Sequence, residues 1–335
     1  MKALIPVAGA GTKLRPLTYT QPKPLIPVAG KPIMAYIIDQ LTGAGVDEFI
    51  FVIGYLGEKI RDYVQTAYPH LNATFVVQEQ REGSGHAIWI AREHLRDTDD
   101  LIIFFGDTII DLDFGEMLAS DQSCVAVSKV RDPRDFGVIE FDGDGKVVRA
   151  VEKPRIPKSN MAMVGCYKIT DVPALLEALE YNLTNDLRTA DEFFLTDALE
   201  RMIQRGTDFC TIRVKNWFDC GKKEVLLQTN AILLEREGYA SQDLPTFYNS
   251  IIIHPVHIGT DCEISNSIIG PHVTIGDNTR IKATILRNSI IGNYSSIRET
   301  VLHNSIIGND TSITGHRQSL NLGDNTEIDF SGAVS

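Results

Sequence analysis

Residues 266–292 read NSIIGPHVTIGDNTRIKATILRNSIIG. An isoleucine returns here every six positions, at Ile269, Ile275 and Ile281, and the spacing holds upstream at Ile252, Ile258 and Ile264 and downstream at Ile285, Ile291 and Ile297. Glycine follows several of these runs, at Gly259, Gly270, Gly276, Gly292, Gly308 and Gly323, and the phrase Asn-Ser-Ile-Ile-Gly starts at Asn266, Asn288 and Asn304. A hexapeptide repeat with one aliphatic per unit marks a parallel left-handed β-helix, in which each aliphatic points into a stacked core. No helix-forming sequence interrupts it, and the repeat region is expected to span 250–330.

Working back toward the N-terminus, a polar stretch from Glu237 to Leu244 reads as part of a linker, 237–249. Ahead of it the periodicity is different. Ala3–Val7, Phe49–Ile53, Thr74–Val77 and Leu101–Phe105 read as buried strands, separated by helical stretches at Pro32–Leu41, Glu58–Ala67 and Ala87–Leu95. Pro32 suits a first helical turn, and Gly43 and Gly45 suit the end of that helix. Such alternation implies an α/β domain with a Rossmann-like, mainly parallel mixed sheet and helices on both faces. Pro6 sits awkwardly in the first strand, because proline cannot donate to the ladder. From about 122 to 170 the runs become hairpin-like, at Cys124–Val130, Gly137–Phe141 and Lys146–Val151, and helical periodicity returns at Val172–Leu179, Phe194–Arg205 and Glu224–Arg236. The first domain is therefore expected over 1–236.

The formal net charge of −12 argues against a general nucleic-acid binder, which needs a positive field to displace counterions. The longest apolar runs fall far short of the roughly 20 residues of a membrane span, and the N-terminus shows no cleavable signal. The five cysteines are scattered, with no C-x-x-C pair, which favours reduced thiols in a cytoplasmic protein over a disulfide framework or zinc site.

The densest chemistry lies in residues 8–32. A glycine-rich turn, Ala8-Gly9-Ala10-Gly11-Thr12-Lys13-Leu14, follows the first strand, and such turns let backbone N–H groups converge on a phosphate. It is not a dinucleotide fingerprint, because Leu14 stands where a third glycine is needed. It is not a P-loop, because Thr12 precedes Lys13. Together with Pro16 and Pro22-Lys23-Pro24-Leu25, however, the turn resembles the signature of the nucleotide-sugar pyrophosphorylases, or sugar-1-phosphate nucleotidyltransferases. Further matches follow in order: Gln78 with Gly83-Ser84-Gly85-His86-Ala87, Gly106-Asp107, Phe136-Gly137-Val138, Val151-Glu152-Lys153-Pro154, Leu195-Thr196-Asp197-Ala198 and Trp217-Phe218-Asp219-Cys220-Gly221. The resemblance covers residues 1 to about 235 and is strongest to glucose-1-phosphate thymidylyl- and uridylyltransferases carrying a hexapeptide tail.

The resemblance implies in-line attack by a sugar-1-phosphate oxygen on the α-phosphorus of a nucleoside triphosphate, with pyrophosphate leaving. An anion attacks an anion, so the catalyst must neutralise charge and hold the groups in line. Mg²⁺ suits that task, and the implied ligands are Asp107, at the end of a strand where open α/β sheets bind ligands, and Asp219. Lys23 would contact the α-phosphate and Lys153 the sugar phosphate. Ala8, Gly9, Gly11, Thr12, Gln78 and Gly83 would bind the nucleotide. Gln78 can both donate to and accept from the edge of uracil or thymine, which favours dTTP or UTP. Glu152 would accept hydrogen bonds from sugar hydroxyls, with Gly137, Asn160 and Gly165 in the same pocket, and glucose-1-phosphate the expected acceptor. The family usually has arginine at position 13, so either Lys13 or Arg15 would grip the pyrophosphate. His86, His254, His257, His272, His303 and His316 read as surface or packing residues. Two other readings stand beside this one: a bifunctional enzyme whose tail transfers an acyl group, and a non-catalytic subunit that binds nucleotide-sugars. The open ends and flat faces of a β-helix also lead to an expected homo-oligomer.

Overall fold

The computed structural model describes residues 1–315 and Thr326, so Gly323 and His316 lie outside the described residues. The chain divides into two units, Met1–Ala240 and a second that begins at Ser241. The stretch read as a linker is thus split. Residues 237–240 go with the first unit, while Leu244 and Phe247 pack against the core of the second.

In the first unit, strand β1 (Lys2–Pro6) leads to helix α1 (Ile33–Gly43), β2 (Glu48–Ile53), α2 (Gly57–Ala67), β3 (Asn72–Val77), α3 (Ser84–Ile90) and β4 (Leu101–Phe104). The strands lie in the order β4-β1-β2-β3, all parallel. Leu4, Ile50, Val52, Leu101 and Ile103 bury against α3 on one face; Ala3, Ile5, Phe49, Phe51 and Phe104 bury against α1 and α2 on the other. Burial on both faces explains why these strands read as unbroken apolar runs. Helix α1 buries Ile33, Met34, Ala35, Tyr36, Ile37 and Ile38 in succession, so its first half is enclosed on all sides, while Asp39, Thr42 and Gly43 in its second half are exposed. Pro6 is the last residue of β1, opposite Val52, where a missing donor is tolerated. The helix expected over Ala87–Leu95 stops at Ile90, and a separate single turn follows at Arg92–His94.

The rest of the unit contains β5 (Thr108–Ile110), α4 (Phe114–Ala119), β6 (Ser123–Lys129), β7 (Gly137–Phe141), β8 (Val147–Glu152), β9 (Met161–Ile169), α5 (Val172–Thr184), α6 (Leu195–Gln204), β10 (Phe209–Arg213), β11 (Trp217–Asp219) and α7 (Lys223–Leu234). Strand β9 runs antiparallel to β4, so the sheet is mixed. It also pairs with β6 and β7, and there the sheet forks. The register of β9 shifts between Met163 and Tyr167, around Gly165 at φ +85°, a conformation that favours glycine. Leu195, Ala198, Leu199 and Met202 of α6 form a buried i, i+3, i+4, i+7 stripe over the same core.

The reduced-thiol expectation is corrected here. Cys124 and Cys210 form a disulfide, while Cys166, Cys220 and Cys262 are free. The two cysteines are direct partners in the parallel β6–β10 pairing, 86 residues apart in sequence, so their closeness comes from sheet topology that no local spacing reveals.

The second unit is a left-handed parallel β-helix of three parallel sheets, each with four described strands. Successive coils are offset by 17 or 16 residues, slightly less than three hexapeptides. That shortfall corrects one element of the repeat: Ile285 faces outward, and Leu286 takes the inward place opposite Ile269. The inward stack contains Ile258, Ile264, Ile269, Ile275, Ile281, Leu286, Ile291 and Ile297. Glycine after the aliphatic has a steric cause. A Cβ at Gly259 would strike the side chain and backbone of Asp277, and one at Gly276 would strike those of Asn293. Those side chains are occupied in capping the preceding coil: Asp277 Oδ1 accepts from the Thr260 amide at 2.7 Å, and Asn293 Oδ1 from the Asp277 amide at 2.9 Å.

Candidate active site

A cleft of about 760 Å³ opens in the first unit where β1, β3 and β4 end, the edge at which open α/β sheets bind ligands. Ala8, Gly9, Gly11, Thr12, Lys13, Lys23, Gln78, Gly83, Asp107, Gly137, Glu152, Lys153, Gly165 and Asp219 all line it. Asn160 does not. It lines a separate depression with Lys129, Lys158 and Arg213, and its carbonyl accepts from the Val130 amide at 3.0 Å.

The glycine turn is shaped by its neighbours. Gly11 has φ +59°, and a Cβ there would come within 2.9 Å of Thr18 Cγ2 and 3.1 Å of Lys23 Cβ. The Thr18 hydroxyl donates to the Gly11 carbonyl at 2.8 Å, closing the turn. Lys13 faces the cleft, whereas the Arg15 guanidinium sits over the Tyr19 ring, 5.1 Å from its centroid.

Strands β5 and β11 form a two-stranded antiparallel ribbon separate from the large sheet. Thr108 pairs with Asp219, so Asp107, one residue earlier, stands opposite Cys220, whose amide donates to its carbonyl at 3.3 Å, and diagonally beside Asp219. Lys23 lies between the two carboxylates, its Nζ 2.7 Å from Asp107 Oδ2 and 3.9 Å from Asp219 Oδ1. Burial is the largest influence on the Lys23 ammonium and works against it, but Asp107 and Asp219 outweigh burial and raise its pKa above the ordinary value. Asp219 is also raised, mainly by burial and partly by Asp107, with Lys23 opposing. Cys220, buried beside them, is pushed up to about 12 by burial and stays a thiol.

Gln78, only 5% exposed, directs its amide nitrogen to the Gly83 carbonyl at 3.2 Å and to His86 Nδ1 at 3.0 Å. That engagement leaves the amide oxygen as the group able to accept from a ligand. Gly83 has φ +104°, and a Cβ there would collide with the Phe193 carbonyl, so the residue beside Gln78 must be glycine.

On the opposite wall, Glu152 Oε2 accepts from the Thr196 hydroxyl at 2.6 Å, and burial raises the Glu152 carboxyl above its ordinary range. Lys153 Nζ lies 3.8 Å from Glu152 Oε1 and 4.4 Å from the centroid of the Phe194 ring. Gly137 leaves no room for a side chain, because a Cβ would meet the Met163 methyl, Glu152 and Thr196. Phe105, Phe194, Thr196 and Trp217 also line the cleft and carry no role in the sequence reading. Thr196 and Trp217 lie within recognised motif segments, so that signal was present without a role attached. His86, read as a surface or packing residue, braces Gln78.

Among the described residues no three or more His, Cys, Asp or Glu side chains cluster in a way that could hold a metal. The available donor set is the Asp107–Asp219 pair. It fits a hard divalent cation that takes its remaining oxygens from phosphate and water.

These features define an enzyme that handles phosphate esters at the carboxyl edge of an α/β sheet. The chain belongs to the nucleotidyl transferase family, whose model matches residues 2–236. It is 33% identical over 315 residues to a glucose-1-phosphate thymidylyltransferase of Streptomyces antibioticus, with 87% of each chain covered. To the bifunctional protein GlmU of Methanococcus vannielii it is 35% identical over 241 residues, covering 70% of this chain and 55% of that protein. The solved structure of UDP-glucose pyrophosphorylase complexed with UDP-glucose matches with a TM-score of 0.60 at 25% identity, covering 70% of this chain and 99% of that one.

Proposed function

We propose that this enzyme transfers a nucleotidyl group from dTTP or UTP to a sugar-1-phosphate, with glucose-1-phosphate as the acceptor, and releases pyrophosphate. The observation that carries the reading is Lys23 tied between Asp107 and Asp219 beside the glycine turn, in the same cleft as the Glu152–Lys153 pair. The turn and Lys13 would receive the β- and γ-phosphates, and Lys23 the α-phosphate. Lys153 would hold the attacking phosphate, and Glu152 the sugar hydroxyls. Asp107 and Asp219 would hold Mg²⁺, which supplies charge neutralisation on the phosphate oxygens. Gln78, through its free amide oxygen, would accept from the N3–H of uracil or thymine. The relatives named as thymidylyltransferase and UDP-glucose pyrophosphorylase support both the pyrimidine and the glucose-1-phosphate.

A bifunctional transferase has less support, since the match to GlmU covers 55% of that protein. We place the enzyme in the cytoplasm, with its nucleotide substrates; no helix among the described residues is long and apolar enough to cross a membrane. Self-association through the β-helix is supported by one outward ladder of Ile251, Ile268, Ile285 and Val301, in which Ile251 is 59% and Val301 68% exposed.

The reading is tested by pyrophosphate release with Mg²⁺, crossing UTP, dTTP, GTP, CTP and ATP with glucose-1-phosphate, N-acetylglucosamine-1-phosphate and mannose-1-phosphate. Release that needs both substrates and is largest with UTP or dTTP is expected. Silence from folded protein that still binds nucleotide-sugars would favour the non-catalytic reading.

A further inference from the structure

The ribbon that carries Asp107 and Asp219 is three residues long on each strand and hydrogen-bonds to no strand of the large sheet. An isolated two-stranded ribbon is marginal in water, so something else must hold it. At its far end the Asp111 amide donates to the Asn216 carbonyl and the Lys215 amide donates to the Asp111 carbonyl, each at 2.9 Å. The Asp111 carboxylate then takes three side-chain hydrogen bonds. Arg236 Nη1 donates to Oδ1 at 2.9 Å, Arg236 Nη2 to Oδ2 at 2.7 Å, and Asn216 Nδ2 to Oδ2 at 2.6 Å. Arg236 lies just beyond the end of α7, the helix that starts four residues after Asp219. One carboxylate thus ties both strands of the ribbon to the helix that follows it.

We propose that Asp111 and Arg236 are positioning residues for the metal site: their two-pronged ion pair sets the separation and aim of Asp107 and Asp219. The inference rests on the reading of those two aspartates as metal ligands. Asp111 is four residues from Asp107, roughly 13 Å along an extended strand, too far to touch a metal itself. Its effect passes through the ribbon, as with other outer partners of metal ligands, whose loss typically weakens metal binding about 10- to 100-fold. The planar fork matters as well as the charge, because lysine cannot bond both oxygens in that geometry.

The test is Mn²⁺ binding to the full chain by electron paramagnetic resonance, with dTTP or UTP present and no sugar-1-phosphate. Arg236→Lys, Arg236→Ala and Asp111→Asn are compared with wild type, and Asp107→Asn is the control. The expected result is a Mn²⁺ dissociation constant raised about tenfold in Arg236→Lys and Asp111→Asn, while glucose-1-phosphate KM stays within about twofold, a split that general loosening of the domain would not give. If Arg236→Ala fails to fold, the two milder variants carry the comparison. Wild-type Mn²⁺ binding in folded Arg236→Lys and Asp111→Asn, with binding lost in Asp107→Asn, overturns the clamp alone. Wild-type binding in Asp107→Asn as well overturns the metal-site reading beneath it.

Discussion

Lys23 shows how one buried side chain can organise a site. Two prolines restrict its backbone, and two carboxylates oppose the cost of burying its ammonium. Replacing Asp107 by asparagine removes a charge while keeping an oxygen that Lys23 can bond. Asp107→Asn should therefore abolish pyrophosphate release while lowering the thermal transition only modestly, since Asp219 and the asparagine oxygen still face the ammonium, and a collapse of that transition would make Asp107 structural. Asp111 gives a pH prediction. Burial pushes its carboxyl upward, but hydrogen bonds from Arg236 and Asn216 outweigh burial and hold its pKa below the ordinary value. Its contribution to stability is complete above the unfolded pKa of about 4 and is lost as pH falls through the lowered folded value. The gap in thermal midpoint between wild type and Asp111→Asn should accordingly be widest near neutrality and close in acid. At this scale the sequence located most of the cleft, because its phosphate-handling residues sit in short local motifs. It could not choose between Lys13 and Arg15, because both are cations beside one turn; in the structure Lys13 lines the cleft while the Arg15 guanidinium lies over the Tyr19 ring. It also placed Asn160 in the cleft, whereas the carbonyl of that residue is committed to the edge of the fork.

Elements were legible where one period covers the whole segment. Strands β1, β2 and β4 are enclosed on both faces, and their apolar runs say so, whereas β3 at the sheet edge is only half-buried. Strand β9 was missed because its MAMVGCYKI run alternates with nothing and breaks its register at Gly165, yet it is buried throughout and joins the two halves of the sheet. The β-helix was read from its isoleucines, but the literal Asn-Ser-Ile-Ile-Gly phrase does not mark one face. Ile268–Ile269 lies in the sheet with Ile251, and Ser289–Ile291 in the sheet with Val256. The unit that recurs in space is the coil of 16 or 17 residues, stitched by asparagine and aspartate side chains across glycines. Gly276→Ala should therefore lower the thermal midpoint clearly, since its Cβ would meet the Asn293 side chain and backbone. Gly143→Ala is the matched control, because nothing lies within 4 Å of its Cβ. Equal effects from the two would mean that the glycines of the repeat serve some purpose other than clearance.

At the scale of the whole molecule, every residue that lines the cleft belongs to the unit ending at Ala240. The UDP-glucose pyrophosphorylase structure is matched over 99% of its length by 70% of this chain. The Tyr36–Tyr239 ring contact and the Arg236–Asp111 pair also close within the first unit, which gives it a finished C-terminal edge. Residues 1–240 alone should fold and release pyrophosphate from dTTP or UTP with glucose-1-phosphate at a kcat within about threefold of the full chain, a difference of less than about 1 kcal/mol in barrier. With self-association through the outward Ile251–Ile268–Ile285–Val301 ladder as proposed, light scattering should show fewer copies for residues 1–240 than for the full chain. Full activity with an unchanged number of copies would move the association to the first unit. Folded but inactive protein would mean that the β-helix is needed for turnover, and the cleft would then have to be redrawn to include what the tail supplies.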